Sequence, residues 1–343
     1  MDRINWYPVP AMIAIALYLL EEPVRVSGTP FKYLARPALW AVSGLGAAIL
    51  GAFAILRITG ADASVSTSSF SSSLLWYRLL PNPTFSFGIL PAIVCISLPA
   101  WLLIGWRMRK STWHPIRIFG LFAILFVLFA GGLVSSTKIG GGSDLHNLDA
   151  YLVMLVIVTG YFYSDKFPAD TQTGPRSLPW QVAALVVLLP VFFALQSTQL
   201  EFPKNIQKAE QEIKQLNSLI ASSSKNGEVL FISQRQLLTF GAVKGVKLVP
   251  DYEIVTLMEM VMSGNQGYLG RFKQDISRHR FSLIIIEPQR VRIEPPGHAF
   301  NEENNVWVNT ITTPLLCNYQ PVLALPIANV DVYQPRLDST NCP

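Results

Sequence analysis

The residues best suited to chemistry lie in one short stretch, residues 135–149, between two long apolar segments. It reads Ser-Ser-Thr-Lys-Ile-Gly-Gly-Gly-Ser-Asp-Leu-His-Asn-Leu-Asp and contains the ionisable residues Lys138, Asp144, His146 and Asp149. Ionisable groups close to a bilayer are costly, and they usually mark a functional site. This concentration therefore predicts a site at the surface of a membrane.

Three consecutive glycines, Gly140, Gly141 and Gly142, indicate the chemistry of that site. Glycines allow a tight turn whose backbone N–H groups can surround an anion, and the start of the next helix adds its dipole. Lys138 supplies a mobile cation. Together these features predict a site for phosphate or pyrophosphate. The alternative is that the glycines only form a turn and that Lys138 only reaches toward lipid headgroups.

The composition shows what kind of element must position this stretch. Only 14% of the residues are charged, half are apolar, and the mean hydropathy is +0.35. The charge is uneven: residues 1–200 contain 13 Lys/Arg and 8 Asp/Glu, whereas residues 201–343 contain 14 of each. We therefore expect a transmembrane helical domain over residues 1–200 and a soluble domain over residues 201–343.

Apolar runs in the first domain predict about six transmembrane helices, because a span needs about 17–25 predominantly apolar residues. Five runs reach or approach that length: residues 38–58, 87–106, 116–135, 148–163 and 179–196. The first run, residues 6–20, is short and has prolines near its start. It is interpreted as a span, a re-entrant segment or an interfacial helix.

Basic residues in alternate loops predict the orientation, since cytoplasmic loops carry an excess of Lys and Arg. One set of loops holds nine Lys/Arg and the opposite set holds four. The richer set is assigned to the cytoplasm, which places residues 59–86, 136–147 and everything after residue 196 outside it. The sequence thus predicts a multi-pass plasma-membrane protein with an extracytoplasmic C-terminal domain.

Alternating patterns in the second domain predict a small α/β fold. Short apolar runs at residues 229–232, 246–249 and 281–286 are expected to be strands, and residues 322–333 are expected to be extended. Helices are expected at residues 201–222, 234–240, 253–262, 268–279 and 304–319. No cofactor-binding motif occurs there, and none of the four histidines has metal-ligand spacing. We expect a scaffold or a substrate lid that needs no metal.

Two of the three cysteines follow the predicted topology. Cys317 and Cys342 lie in the extracytoplasmic domain, where disulfides persist, and a bond between them would hold the C-terminal tail on the domain. The alternative is two unrelated thiols. Cys95 lies inside an apolar run and is expected to be a small packing residue.

A family resemblance rests on two stretches. The run from Ser136 to Asp149, with its Lys-x-Gly-Gly-Gly-Ser-Asp-x-His-Asn order, resembles a loop of the GT-C class of polytopic membrane glycosyltransferases. These are the RgtA/B/C/D-like and dolichyl-phosphate-mannose mannosyltransferase-like proteins. Residues 229–240, 248–253, 257–260 and 280–285 are similar to soluble tails of bacterial members. The resemblance covers roughly residues 85–343, and neither stretch is a catalytic signature with strict spacing.

The resemblance implies a membrane glycosyltransferase that takes a sugar from a polyprenyl-phosphate carrier on the outer face of the membrane and needs no cofactor. Lys138 would contact the carrier phosphate, with help from the backbone of Gly140, Gly141 and Gly142. Asp144 and His146 would orient hydroxyl groups of the sugar or the acceptor.

Catalysis would also require a general base near the outer surface. The carboxylates available there are Asp62, Asp144 and Asp149. The family's acidic catalytic pair lies in a first outward loop near the N-terminus, and no such loop is seen here. Glu21 and Glu22 fall on the cytoplasmic side, where capping and interfacial anchoring explain them.

The chain therefore resembles the C-terminal portion of such an enzyme. It is interpreted as one half of a split gene, with a separately encoded N-terminal half as partner, as a truncated product, or as a relative with another role.

Two further function classes are weighed against this one. A non-enzymatic membrane subunit, whose outer α/β domain binds a partner or an envelope polymer, agrees with that domain's balanced charge and lack of catalytic motifs. A transporter is less favoured, since no inverted repeat is seen. Nucleic acid is excluded as a partner, because the net charge of +5 comes from short loops between apolar runs and not from one basic face.

Overall fold

The computed structural model describes most of the chain. The described residues are 6, 8–24, 29–59, 68, 71–109, 111–140, 145–164, 166–167, 172–173, 180–197, 205–225 and 227–337. They form two compact units. The helical unit comprises Asp2–Ala61 and Leu74–Gln199, and the mixed unit comprises Asp62–Ser73 and Leu200–Pro343.

The helical unit contains an α-helix at each of the six predicted apolar runs. The helices are α1 (Val9–Glu21), α2 (Pro30–Thr59), α3 (Ile89–Met108), α4 (Pro115–Thr137), α5 (Asp149–Ser164) and α6 (Trp180–Ser197). Four helical stretches are long and apolar enough to cross a membrane: Pro30–Ala54, Ile89–Met108, Pro115–Thr137 and Leu145–Ser164. The apolar stretches Val9–Glu21 and Trp180–Phe192 are shorter.

Local sequence explains where α4 begins. Pro115 occupies the first turn, where its missing N–H leaves no hydrogen bond unmade. The ring Nδ1 of His114 accepts a hydrogen bond from the backbone N–H of Ile116 at 3.3 Å, so the helix start is capped by a side chain.

A buried arginine joins the start of α4 to the end of α1. Arg117 is fully buried, and its Nε and Nη2 donate to the carbonyl oxygens of Leu19 and Leu20 at 2.6 and 2.8 Å. These are among the carbonyls that a helix leaves without an internal partner at its C-terminus, where the dipole favours a cation. The guanidinium also lies 4.8 Å from the ring centroid of Trp113. The sequence predicted Arg117 only as a loop charge, and its burial is a finding of the structure.

The mixed unit is built on a four-stranded sheet, mostly as predicted. Its strands are β1 (Glu228–Phe231), β2 (Phe281–Ile286), β3 (Tyr319–Leu325) and β4 (Val330–Pro335), in the order β1-β2-β4-β3. β1 and β2 are parallel, with Leu230 opposite Ile284, whereas β4 is antiparallel to both of its neighbours. Its helices are α7 (Ile206–Ser223), α8 (Gln236–Thr239), α9 (Ile254–Ser263), α10 (Gln266–Ser277), α11 (Asn301–Trp307) and α12 (Thr313–Asn318), with a π-helix at Val308–Thr312.

The core on one face of this sheet joins α7 to the strands. Leu216 and Ile220 of α7 are buried against alternate residues of the strands, such as Phe231 and Leu283. The period-two alternation of a strand and the spacing of four along α7 bring these side chains together. The chain as a whole is mostly helical with a small mixed sheet.

Two local predictions for the mixed unit are wrong. Residues 246–249 form no strand. Val249 is buried, but Gly245 and Tyr252 have positive φ values of 76° and 61°, so the backbone turns on both sides of this run. Residues 322–333 are not one extended segment, because they contain the turn between β3 and β4.

The turn of that hairpin is held from α7. The Glu212 carboxylate accepts hydrogen bonds from the backbone N–H of Ile327, at 3.1 and 3.2 Å, and of Ala328, at 2.8 Å. Asn329 takes up the left-handed conformation at φ 51°. The stabilising partner lies 116 residues away from Ala328, which explains why the local sequence did not reveal the turn.

The mixed unit also includes a segment that the sequence predicted as part of the first domain. Ser68 is buried, its hydroxyl accepts a hydrogen bond from Asn265 Nδ2 at 3.0 Å, and it lies 3.5 Å from the sulfur of Met260. Asp62–Ser73 thus groups with Leu200–Pro343. The mixed unit is assembled from two distant parts of the chain.

Candidate functional site

The predicted loop begins where α4 ends, and its first residues are fixed by backbone pairing. Lys138 follows the last residue of α4 and forms an antiparallel bridge with Leu74. The N–H of Leu75 donates to the carbonyl oxygen of Thr137 at 2.6 Å. The half-buried Lys138 is therefore attached to a defined backbone position at this end of the helical unit.

Of the three glycines predicted to form an anion-binding turn, the structure describes Gly140. Gly140 is exposed and has φ 74°, a left-handed conformation that glycine adopts without strain. It turns the chain two residues after Lys138. Gly141, Gly142 and Asp144 lie outside the described residues, so the anion-binding nest stays a prediction.

The other side of the loop is held by a close approach to α4. Leu145–Leu148 form a 3₁₀ turn, and α5 begins at Asp149. A Cβ at Gly132 of α4 would lie 2.6 Å from Leu148 Cδ2 and 2.9 Å from the carbonyl oxygen of Asn147. Gly132 therefore allows this turn to lie directly against the helix. His146 and Asp149 are half-buried, and Asp149 lies in the first turn of α5, where the helix dipole favours a carboxylate.

A second cation that the sequence did not single out lies four residues along the chain from Leu74, the bridge partner of Lys138. Arg78 is fully buried in the 3₁₀ turn Trp76–Leu79, which follows directly after the bridge between Leu74 and Lys138. Its backbone N–H donates to the carbonyl of Leu75 at 3.0 Å. In the sequence Arg78 was counted only as an outward loop charge. Its position depends on pairing between segments more than 60 residues apart.

An apolar cavity of about 350 Å³ lies among α3, α4 and α5. Its lining residues are Ile93, Val94, Ser97, Leu98, Trp101, Phe122, Leu125, Phe126, Phe129 and Tyr151. Among the described lining residues, the hydrogen-bonding side chains are Ser97, Trp101 and Tyr151. The indole N–H of Trp101 donates to the Tyr151 hydroxyl at 2.9 Å, whereas the buried Ser97 hydroxyl has no partner among the described residues.

The cavity lies along the middle of α3 and α4, and at Tyr151 it reaches the end of the helical unit that carries Lys138. Tyr151 is in the first turn of α5, Ile93 is in the second turn of α3, and Phe129 is about two turns before the end of α4. Several lining side chains are partly exposed, among them Leu98 at 49% and Phe126 at 69%. The arrangement offers an open apolar space below a cationic end, which suits an amphiphile with an anionic head.

At the opposite end of the helical unit, polar side chains hold the end of α1. The Tyr161 hydroxyl donates to the Glu21 carboxylate, and the Tyr33 hydroxyl donates to the carbonyl oxygen of Glu22 at 3.1 Å. Together with the contacts of Arg117, these bonds hold the end of α1. The Glu21 side chain thus has a structural partner, and Glu22 takes part through its backbone carbonyl.

The remaining predicted site residues are only partly placed. Asp62 lies outside the described residues, so Asp149 is the one predicted general base whose position is known. Cys317 is disulfide-bonded and Cys95 is a free thiol. Cys342 lies outside the described residues, and its bond to Cys317 stays a prediction. Within the described part of the chain, no group of three or more His, Cys, Asp or Glu side chains could hold a metal ion.

The mixed unit contains a polar network with a structural role. The Tyr252 hydroxyl donates to Asp275 at 2.8 Å, and Arg280 joins Asp275 to Glu228, with both ion pairs at 2.8 Å. Burial, and then the hydrogen bond to Asp275, raise the pKa of Tyr252 far above its ordinary value. The phenol therefore stays protonated near neutral pH, and its hydrogen bond joins Tyr252 to α10.

Comparisons with protein-family models, with curated proteins and with solved structures give no match for this chain.

Proposed function

We propose that this chain is a multi-pass membrane glycosyltransferase, or the C-terminal part of one, that takes a sugar from a polyprenyl-phosphate carrier. In this proposal the four long apolar helices and the two shorter apolar stretches form six spans. The mixed unit and the Lys138 loop face away from the cytoplasm. Basic residues favour the opposite set of loops, and this distribution supports the orientation.

The observation that carries the proposal is the combination of charge and cavity at one end of the helical unit. A lipid-linked sugar has an apolar chain, a phosphate and a polar head, arranged in line. The cavity among α3, α4 and α5 suits the chain. Lys138 and Arg78 supply positive charge at the depth where the phosphate would lie, and the left-handed Gly140 begins the turn beside it.

In the proposed reaction an acceptor hydroxyl oxygen bonds to the anomeric carbon of the sugar. The bond between that carbon and the phosphate oxygen breaks, and the phosphate keeps the electron pair as it leaves on the carrier. The hydroxyl proton passes to a carboxylate, for which Asp149 is the described candidate. Lys138 balances the charge that develops on the leaving phosphate.

A second candidate function is a membrane subunit that binds a carrier lipid or an envelope polymer without transferring sugar. The structural role of the Tyr252 network favours it, since that network offers no catalytic group to an outer domain. A partner chain with the missing acidic pair would then complete the enzyme.

The first test is carrier binding by the full-length protein in lipid nanodiscs. The protein is titrated with a polyprenyl-phosphate-linked hexose, and the dissociation constant is compared among the wild type, Lys138→Ala and His146→Ala. Lys32→Ala is the matched control, because Lys32 is an exposed lysine at the start of α2. We expect Lys138→Ala to weaken binding by about tenfold or more, as for loss of a charge-assisted hydrogen bond, and Lys32→Ala to leave it unchanged.

The two candidate functions differ in the second measurement, which is sugar transfer. Asp149→Asn in the active protein would bind the carrier and lose transfer if Asp149 is the base. Binding without transfer, alone and beside a co-encoded front half, would favour the subunit. No saturable binding by folded wild-type protein would remove the carrier site altogether.

A further inference from the structure

A loop of the mixed unit displays apolar and cationic side chains together. It covers residues 288–300, between β2 and α11. Val291 is 63% exposed, Ile293 49% and Phe300 42%. Arg290 and Arg292, which alternate with the two aliphatic residues, are exposed too, and within the described residues neither guanidinium forms an ion pair.

The loop is held in this conformation by side chains of α11. Asn305 accepts from the backbone N–H of Glu294 at 2.8 Å and donates to its carbonyl at 2.9 Å, so one amide satisfies both backbone groups. Asn304 Nδ2 donates to the carbonyl of Arg292 at 2.8 Å. The exposed side chains are therefore presented on a fixed backbone.

A second set of hydrogen bonds fixes the beginning of the loop. Gln289 Oε1 accepts hydrogen bonds from Trp307 Nε1 at 2.9 Å and from Thr312 Oγ1 at 3.0 Å, and its Nε2 donates to the carbonyl of Glu287 at 2.7 Å. Thr312 closes the π-helix, a rare element that often occurs at functional sites. The loop buries little apolar surface, yet many specific hydrogen bonds hold its backbone. This indicates that its exposed side chains are held in place for a function.

The acidic residues near the loop are turned inward. The Glu294 side chain is 15% exposed and lies 3.7 Å from the His298 ring, and Glu303 is buried at 8%. Half-buried Glu287 and Glu302 flank the loop. Residues 290–293 thus present cationic and apolar side chains to solvent, and the half-buried carboxylates lie at the margins of the loop.

We propose that the loop 288–300 docks on the headgroup region of a bilayer that contains anionic lipid. Aliphatic side chains enter the interface while the arginines bind lipid phosphates, as in peripheral membrane elements. This proposal rests on the proposed insertion of the chain in a membrane. Apolar helices anchored in a bilayer keep the bilayer surface at high effective concentration for the mixed unit, which belongs to the same chain.

A lipid surface fits this loop better than a protein partner does. A stable protein interface buries about 800 Å² on each side, with a packed apolar centre. Three exposed apolar side chains flanked by two unpaired guanidinium groups form a smaller patch of mixed character. Such a patch is too small for a stable protein interface. It matches the chemistry of a bilayer surface, where lipid phosphates lie above the hydrocarbon chains.

The test measures how close the loop comes to lipid in the full-length protein. Val291→Cys is labelled with an environment-sensitive fluorophore in a Cys95→Ser background and placed in nanodiscs with brominated lipids, which quench on contact. The matched control is Val255→Cys, a valine of the same unit on α9 that is 50% exposed. Ile293→Cys repeats the measurement at a second position, in case one variant fails to fold.

We expect quenching at positions 291 and 293 to be about threefold or more above that at 255 in nanodiscs with anionic lipid. It should fall toward the control value in zwitterionic lipid and in the Arg290→Gln/Arg292→Gln variant. Equal quenching at 291 and 255 would overturn the proposal. So would a label at 291 that is shielded from both lipid quenchers and iodide, because a protein partner would then cover the loop.

Failures of the two proposals can be distinguished in the same preparation. A chain that does not insert into nanodiscs removes both. Insertion and carrier binding without lipid contact at 291 removes the docking alone. Lipid contact without carrier binding leaves docking in place and removes the proposed function.

Discussion

The helical unit and the mixed unit satisfy their polar groups in different places. In the helical unit the buried Arg117, at the start of α4, donates to the last carbonyls of α1. In the mixed unit, side chains such as Glu212, Gln289 and Asn305 hold the backbone of loops along their length. A helix in lipid pairs its own backbone, so specific polar contacts are needed only at its ends. The difference indicates that a few residues at helix ends should dominate the stability of the helical unit. In the mixed unit, many small contacts should each contribute to the stability.

The largest expected effect is that of Arg117→Ala in the helical unit. Removal of the guanidinium leaves the carbonyl oxygens of Leu19 and Leu20 buried without these donors, and we expect a loss of about 3 kcal/mol in the free energy of unfolding. Thermal unfolding of the purified full-length protein measures it. Arg109→Ala is the control, since Arg109 is exposed at the same end. Equal effects of the two substitutions would contradict the idea that end contacts dominate.

Alkaline pH should act on the mixed unit. Burial raises the pKa of Tyr319 from 10.0 to about 12, and it raises the pKa of Tyr333 to about 12 as well. A raised pKa means that the folded state favours the neutral phenol. This stabilisation is fully present below pH 10 and is lost as the pH rises toward 12. Denaturant midpoints at pH 8, 10 and 11.5 should fall over that range.

Tyr319→Phe separates this titration from general alkaline damage. The Tyr319 hydroxyl donates to the carbonyl of Phe281 at 3.1 Å, so the substitution should reduce stability by about 1 kcal/mol at neutral pH. It should also flatten the loss between pH 10 and 12. An unchanged alkaline slope in this variant would mean that other groups control it.

An effect smaller than that of Arg117→Ala is expected from Glu212→Ala, which removes the acceptor for the turn of the β3–β4 hairpin. The N–H groups of Ile327 and Ala328 are at least partly accessible to water, which replaces part of the lost bonds, and we expect a loss of about 1–2 kcal/mol. Chemical denaturation measures it. Glu210→Ala on the same helix is the control, because Glu210 is exposed and should change stability little. A neutral result for Glu212→Ala would show that the hairpin needs no support from α7.

The smallest stability effect is expected for Lys138→Ala, less than about 0.5 kcal/mol, because the structure holds Lys138 through its backbone bridge to Leu74. The same variant should show the large loss of carrier binding predicted above. A substantial fall in its melting temperature would show that the lysine stabilises the end of α4, and the binding loss would then no longer identify a site.

The sequence predicted those features that depend on nearby residues. The apolar runs located the helices of the helical unit, since length and composition suffice for that. The runs at residues 229–232 and 281–286 located two strands of the sheet. Residues 246–249 show the limit of this reasoning, because a short apolar run does not by itself make a strand, and here Val249 is buried while Leu248 stays 48% exposed.

Features that depend on distant residues were not predictable in this way. The burial of Arg117 requires carbonyls 97 and 98 residues earlier in the chain, and the backbone position of Lys138 requires the bridge from Leu74. For the site, Lys138 and Gly140 were identified from residue type alone, whereas the cavity below them arises from three helices and has no local signature.

The contribution of Ser68 to the mixed unit has a consequence for biosynthesis. Asn265, which donates to its hydroxyl, is translated 197 residues later. At about 5–20 residues per second the ribosome needs roughly 10–40 s to reach it. Throughout that interval Ser68 has been synthesised while the Asn265 and Met260 side chains that it contacts do not yet exist. A chaperone that shields early segments would assist this chain most between the synthesis of Ser68 and that of Asn265. A truncated chain that starts at residue 200 would lack Ser68 altogether.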